Sequence, residues 1–177
     1  IIADWLDTPR LPARRARSLG ILETLSRPLP DLALLQEAFH EATRSALVRR
    51  FPHSFVTLSK RWFAAHSGLT ILSKEPILSR SGLVFRRGRG ADAWVNKGVM
   101  QAQVGGTHVF NLHLQSGPHP EVRRAQILEL AAFVAGFTGP ALLAGDFNLH
   151  PAEDGLLEPA FDLGFRDSWL ECHPGDR

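Results

Sequence analysis

The sequence predicts a layered α/β or α+β domain, and three observations carry that expectation. Short apolar runs of strand length alternate with segments whose apolar residues recur at helical spacing. Glycine and proline punctuate the junctions, at Pro28, Pro30, Pro76, Gly105-Gly106 and Gly139-Pro140. The 177 residues, 44% hydrophobic and 21% charged, have the balance of one globular domain with a real core, which sets aside a disordered or fibrous chain.

Taken in order, segment 13–27 reads as a helix, with Ala16, Leu19, Leu22 and Leu25 at helical spacing and Arg14, Arg15 and Arg17 between them; Pro28 and Pro30 stop it. Residues 32–36 form a short apolar run, read as a buried strand. Segment 39–50 is a second arginine-studded helix, and 54–59 a strand. The apolar run 68–73 is closed by Lys74-Glu75-Pro76, and 77–86 is a strand leading into a Gly-Arg loop over 86–90. Segments 98–104 and 107–114 make a hairpin about Gly105-Gly106. On its second strand, Phe110, Leu112 and Leu114 share one face and Val109, Asn111 and His113 the other. Segment 120–136 is an amphipathic helix with Val122, Ile127, Leu130, Phe133 and Val134 on one side. Ala141 to Ala144 is a buried strand that runs into Gly145-Asp146-Phe147-Asn148, and the turn-rich tail 153–177 holds a short helix near 153–160.

Charge and cysteine usage narrow the classes. The net charge of +2, with a pI near 9.2, lacks the excess expected of a broad nucleic-acid groove. Arginine strongly outnumbers lysine, which suits bidentate phosphate contacts. Cys172 is the only cysteine, so a disulfide within the chain and a cysteine-rich zinc site are excluded, and the redox compartment stays open between secreted and cytoplasmic. No apolar run reaches the roughly 18 residues of a membrane span. The start carries no secretory signal, and Ile1 in place of Met fits a processed or trimmed N-terminus. Nothing in the composition sets an oligomeric state.

The candidate chemistry lies where apolar strands end. Glu37 follows the 32–36 run, Asn111 and His113 sit near the end of the 107–114 strand, and Asp146 and Asn148 follow Ala141–Ala144. Residues two apart on a strand point the same way, so Asn111 pairs with His113 and Asp146 with Asn148. Layered α/β enzymes collect their sites at strand ends. The set suits phosphoryl hydrolysis: a carboxylate, Glu37, for a hard cation such as Mg²⁺ or Mn²⁺; Asp146 to orient or deprotonate water; Asn148 to donate to the phosphate; His113 to stabilise the pentacovalent phosphorus with a charged hydrogen bond or to assist the leaving group. Taken singly, each has a plainer reading. Asp-Phe-Asn after a strand is a common turn or helix cap, Gln-Glu a solvated loop start, and a strand histidine a structural residue. His40, His53, His66, His108, His119, His150 and His173 have no metal-ligand spacing with any partner and read as surface or loop residues. The arginines of 86–89 read either as a solvated loop or as a phosphate- or membrane-facing patch.

In order, the strings are Pro30-Asp-Leu-Ala-Leu-Leu-Gln-Glu37, Ser67-Gly-Leu-Thr-Ile-Leu-Ser-Lys-Glu-Pro-Ile77, Asn96-Lys-Gly-Val99, Val109-Phe-Asn-Leu-His-Leu-Gln115 and Leu142-Leu-Ala-Gly-Asp-Phe-Asn148. Over residues 13–170 they resemble the endonuclease/exonuclease/phosphatase superfamily, which includes DNase I-like nucleases, inositol polyphosphate 5-phosphatases and neutral sphingomyelinases. The segment Asp92-Ala-Trp-Val-Asn-Lys-Gly-Val99, and the Phe-Asn-Leu-His-Leu-Gln string followed by Arg123, Gln126 and Leu130, look most like the bacterial neutral sphingomyelinases. The resemblance implies a DNase I-like four-layered sandwich, with two mixed sheets packed face to face and helices outside. It implies Glu37 as the metal-binding glutamate, His113 as the phosphate-contacting histidine, and Asp146 and Asn148 as the pair that positions water and phosphate. Asn111 matches a polar position beside that histidine and is carried as a substrate-binding candidate.

The same resemblance implies an N-terminal strand bearing a metal-sharing asparagine and a C-terminal Asp-His segment, neither of which this sequence contains. The expectation is a fragment of one domain, with little phosphodiesterase activity by itself while a longer parent is active. The favoured reaction is phospholipase C-type cleavage of a phospholipid head group, sphingomyelin giving ceramide and phosphocholine. A DNase I-like nuclease or another phosphatase of the superfamily is the alternative enzyme, and an inactive binding module the non-enzymatic one. Trp62-Phe63 and Trp94 are candidates for peripheral contact with a bilayer.

Overall fold

The computed structural model describes residues 20–21, 23–25, 28–59 and 64–174. Its strands are β1 (Leu32–Leu35), β2 (His53–Val56), β3 (Thr70–Ser73), β4 (Ile77–Val84), β5 (Gly98–Val104), β6 (Thr107–His113) and β7 (Ala141–Asp146). Its helices are α1 (Glu41–Val48), α2 (Pro120–Val134), α3 (Glu158–Phe161) and α4 (Ser168–Cys172), with 3-10 turns at Gly90–Trp94 and Pro151–Leu157. The helix predicted over 13–27 lies largely outside the described residues; within them the Leu25 N–H donates to the Ile21 carbonyl at 3.0 Å, a helical step. Trp62-Phe63 lies outside them altogether.

Two sheets form. One has the order β1-β3-β2 and is antiparallel at both pairings. The other has the order β4-β5-β6-β7; its first two pairings are antiparallel, and β6 and β7 run parallel, joined by the crossover through α2. The hairpin expected about Gly105-Gly106 is the β5–β6 connection, and both glycines have positive φ, as a tight two-residue turn between twisted strands requires.

Strand alternation separates three apolar clusters and stacks the layers. Ala33 and Leu72 face outward and pack with Leu47 and Phe51 at α1 and its C-terminal end. Their neighbours Leu32, Leu34 and Ile71 face inward and meet Met100 and Ala102 of β5 between the sheets. On the far side of β5 and β6, Val99, Phe110 and Leu112 pack against Ile127, Leu130 and Val134 of α2. The layers therefore run helix, sheet, sheet, helix, with the core split into an inter-sheet slab and two sheet–helix slabs. At about 1.5–3 kcal/mol for each fully buried large apolar side chain, these slabs are the main stabilising term.

Two expectations change. Ala141–Ala144 was expected to be buried, but β7 is the edge of its sheet among the described strands, and Ala141 and Leu142 are exposed while Leu143 packs inward. The predicted apolar face of α2 also includes two polar residues, Arg123 and Gln126, both buried. Among the described residues no helix is long and apolar enough to cross a membrane.

Candidate active site

Register brings the pieces together. In the parallel β6–β7 pair His113 lies opposite Asp146, and Asn111 opposite Ala144. Asn111 and His113 both project into the inter-sheet layer, on the face opposite Phe110 and Leu112. From there Asn111 reaches the other sheet: its Nδ2 donates to the Leu35 carbonyl at 3.0 Å and the Thr70 carbonyl at 3.1 Å, while its Oδ1 accepts from Gln36 Nε2 at 2.7 Å. That clamp sets Glu37, the residue after Gln36, at the same end of the sandwich.

Backbone geometry at this end is unusual. Among the described non-glycine residues only Glu37, Thr57 and Asn148 have positive φ, at 56°, 55° and 50°. Asparagine tolerates this left-handed region; for glutamate it is strained, and such strain persists where surrounding structure enforces it. Around Glu37 the enforcing contacts are an Ala38 N–H to Gly68 carbonyl bond at 2.8 Å and Arg44 Nη1 donating to the Ala38 carbonyl at 2.8 Å. Gly68 leaves room for the turn, since a Cβ there would lie 3.2 Å from the Glu37 Cα. Around Asn148, Asp146 Oδ1 accepts the Asn148 N–H at 2.9 Å, and Asn148 Nδ2 donates to the Leu114 carbonyl at 2.9 Å.

The centre of the arrangement is a residue to which the sequence assigned no role. Lys97 is almost fully buried. Its Nζ lies 2.9 Å from Asp92 Oδ2, 2.8 Å from the Leu114 carbonyl and 3.1 Å from His113 Nε2. Three acceptors match the three N–H groups of an ammonium. Burial pushes the Lys97 pKa down, opposed by the hydrogen bond and charge of Asp92 and by the charges of Asp146 and Glu37. For Asp92, burial pushes upward, but the hydrogen bond from Lys97 and the Ser116 N–H outweigh it and hold the carboxyl below its usual value. Lys97 and Asp92 are therefore a buried ion pair, and the carboxylates of Asp146 and Glu37 also act on that cation.

This environment bears on two of the candidates. For His113, burial, and then the adjacent Lys97 charge, lower the pKa to about 4 against the opposite pull of Asp146 and Asp92, which disfavours a charged imidazole. The ring is neutral near pH 7, so its 3.5 Å approach to Asp146 Oδ2 is not an ion pair. With Lys97 donating to Nε2, the ring proton is assigned to Nδ1, a buried atom without a hydrogen-bond partner. Asn111, carried as a substrate-binding candidate, is fully buried with both amide hydrogens given to main-chain carbonyls, so it ties the sheets and has no hydrogen left for a phosphate. Asp146, by contrast, has a side chain 46% exposed, and Glu37 is exposed.

A hard cation fits this donor set. Mg²⁺ keeps several waters and uses one or two carboxylates with phosphate oxygens, rather than an all-protein cage. Glu37 offers an exposed carboxylate at the end of the sandwich where Asp146 and Asn148 also lie.

No local pattern marks Lys97 and Asp92 as buried: lysine and aspartate are ordinarily solvated, and only the fold brings these two together. A second ion pair, buried Arg123 with partly exposed Glu153 at 2.6 Å, links α2 to the turn after β7, and Arg123 Nη1 also donates to the Gln115 and Gly117 carbonyls after β6.

Two face-to-face sheets between helices, with a carboxylate, an amide and an imidazole gathered at the strand ends, define a DNase I-like sandwich. Residues 6–175 match the sequence profile of the Endonuclease/Exonuclease/phosphatase family, and the chain belongs to that family. Human sphingomyelin phosphodiesterase 2 is 28% identical over 186 residues, a match covering 90% of this chain and 42% of that protein. Sphingomyelinase C from Streptomyces griseocarneus superposes with a TM-score of 0.68 at 29% identity, over 81% of this chain and 61% of that one. A mutant beta toxin from Staphylococcus aureus with bound magnesium ions superposes with a TM-score of 0.71 over 86% of this chain and 63% of that one; at 24% identity the likeness shows the fold. The chain spans less than two-thirds of the length of each of these relatives.

Proposed function

We propose that this chain carries the phosphate-handling part of a Mg²⁺-dependent phosphodiesterase that cleaves a phospholipid head group, with sphingomyelin the favoured substrate. The observation that carries the reading is the convergence of Asp146, Asn148 and His113 on buried Lys97, with Glu37 at the same end of the sandwich. Similarity to a human sphingomyelin phosphodiesterase and a bacterial sphingomyelinase supports the substrate class, and the magnesium bound by the staphylococcal beta toxin supports the metal.

In this reading Glu37 holds the cation, which when bound polarises a phosphate oxygen. Asp146 has Oδ1 tied to the Asn148 N–H, which leaves Oδ2 to orient water and take its proton as the water oxygen bonds to phosphorus. Asn148 gives one amide hydrogen to Leu114 and the other to a phosphate oxygen. Lys97 supplies the positive charge first expected of His113, and the buried imidazole acts through Lys97 as a positioning residue. The bond from phosphorus to the ceramide oxygen breaks, that oxygen takes a proton from solvent water, and ceramide and phosphocholine are released while Asp146 returns its proton to solvent.

The test is a substrate panel on the full-length protein: sphingomyelin, phosphatidylinositol phosphates and plasmid DNA, each with Mg²⁺ and with chelator. Sphingomyelin turnover that chelator abolishes is expected. Glu37→Gln removes the charge at constant size and is expected to lower kcat/KM by about 10²–10³-fold with an unchanged melting temperature. The same variant is expected to lose Mg²⁺ binding measured by calorimetry without substrate. Wild-type turnover in Glu37→Gln, or turnover confined to DNA, overturns the assignment.

A further inference from the structure

The loop from Arg86 to Trp94 is held from beneath more firmly than a solvated loop requires. Gln126 Nε2 donates to the Arg87 carbonyl at 2.8 Å, and Gln115 Oε1 accepts the Arg89 N–H at 2.8 Å. Gln115 Nε2 donates to the Arg89 carbonyl at 3.3 Å, and the two glutamines are joined by the Gln115 N–H to Gln126 Oε1 bond at 2.8 Å. Both glutamines are buried, so two core side chains are devoted to fixing this one stretch of main chain. The Glu129 carboxylate accepts the Arg86 N–H at 3.1 Å. With their main chain fixed inward, Arg86, Arg87 and Arg89 are all exposed, and none of the three guanidinium groups forms an ion pair among the described residues. The loop ends at Trp94, which is 59% exposed. Asp92 of the same loop binds Lys97 and Ser116, so the patch is continuous with the candidate site.

We infer that this loop is a docking element for an anionic phospholipid surface, the arginines meeting lipid phosphates and carboxylates and Trp94 settling at the head-group level. The inference deepens the lipid-hydrolase reading and rests on it. Clustered arginines bring a surface to anionic lipid, and tryptophan favours the bilayer interface. A single-stranded nucleic acid also stacks on aromatics beside arginine, but it needs a basic track along the backbone, and the patch is one short loop on a chain of net charge +2. A pre-fixed loop gives up little conformational freedom on docking, which suits a transient surface contact.

The test is co-sedimentation of the full chain, in chelator, with vesicles of phosphatidylcholine alone or with about 30% phosphatidylserine. Neither vesicle contains sphingomyelin, so binding is read apart from turnover. Wild type is expected to partition onto the anionic vesicles only, and to be released as salt rises from about 0.1 M to about 0.5 M. Each arginine changed to alanine is expected to weaken partition about 5-fold, and the three together on the order of 100-fold, with recovery when all three are lysine. Trp94→Ala is expected to weaken it further without changing the salt slope. Turnover of a monomeric, short-chain phosphodiester is expected to be unchanged in the arginine variants. Should the triple variant not fold, Arg87→Glu alone carries the test, because only the main chain of Arg87 is bonded inward. Wild-type partition in the triple variant, or equal binding to both vesicles, overturns the proposal. Loss of single-stranded oligonucleotide binding with vesicle partition intact also overturns it. Arginine-dependent partition in a protein that hydrolyses no phospholipid upholds the docking surface and refutes the substrate reading.

Discussion

Lys97 shows how much one buried charge organises. Taking an ammonium out of water is unfavourable unless its partners replace the lost hydration, and here Asp92, the Leu114 carbonyl and His113 do so. Lys97→Met strands the Asp92 carboxylate in the interior and is expected to destabilise the protein by about 3–5 kcal/mol in urea unfolding, with most of that recovered when Asp92 is made leucine as well. The same change removes one of the two causes that depress the His113 pKa, so the imidazole of the double variant is expected to titrate higher by NMR. In the wild type, His113 resists protonation to about pH 4, whereas the unfolded chain takes up that proton near 6.5. The unfolded state thus binds more protons across this window, so the contribution is complete above about pH 6.5 and is lost as pH falls toward 4. Unfolding free energies measured at steps across that range are expected to decline, and His113→Asn to flatten the decline. His66, whose pKa burial also lowers, contributes to the residual slope.

At the scale of elements, strand ends were legible because apolar runs such as 32–35 and 141–144 stop at polar residues, and in the alternating strand 107–114 the strand period fixes which residues share a direction. What the pattern could not carry was pairing over distance. Whether an apolar run such as Ala141–Ala144 sits centrally or at an edge depends on neighbours that composition does not name, and Lys97 reads as a surface residue until His113 and Leu114 are folded over it. The sheet also contains a close approach that only a glycine allows. Gly145 has φ +139°, and a Cβ there would collide with the Leu112 main chain. Gly145→Ala is expected to prise β7 from β6, costing on the order of 2–3 kcal/mol. Because Asp146 is the next residue, the loss is expected to appear in kcat more than in KM, measured beside the unfolding free energy.

For the whole molecule, one amide ties the two sheets at the end that carries the candidate site. Asn111 on β6 holds the end of β1 through Leu35 and Gln36, and that of β3 through Thr70. Asn111→Ala leaves two carbonyls and the Gln36 amide to find other partners and is expected to cost about 3 kcal/mol, with faster hydrogen exchange where β1 and β3 meet β6. The left-handed turns at Glu37 and Asn148 have a broader consequence. Glycine adopts that backbone without penalty, so Glu37→Gly is expected to raise the melting temperature by relieving about 1 kcal/mol while abolishing turnover. A laboratory selection for heat resistance alone would therefore drift toward a sturdier, inert protein, and thermal tolerance and catalysis would have to be selected together.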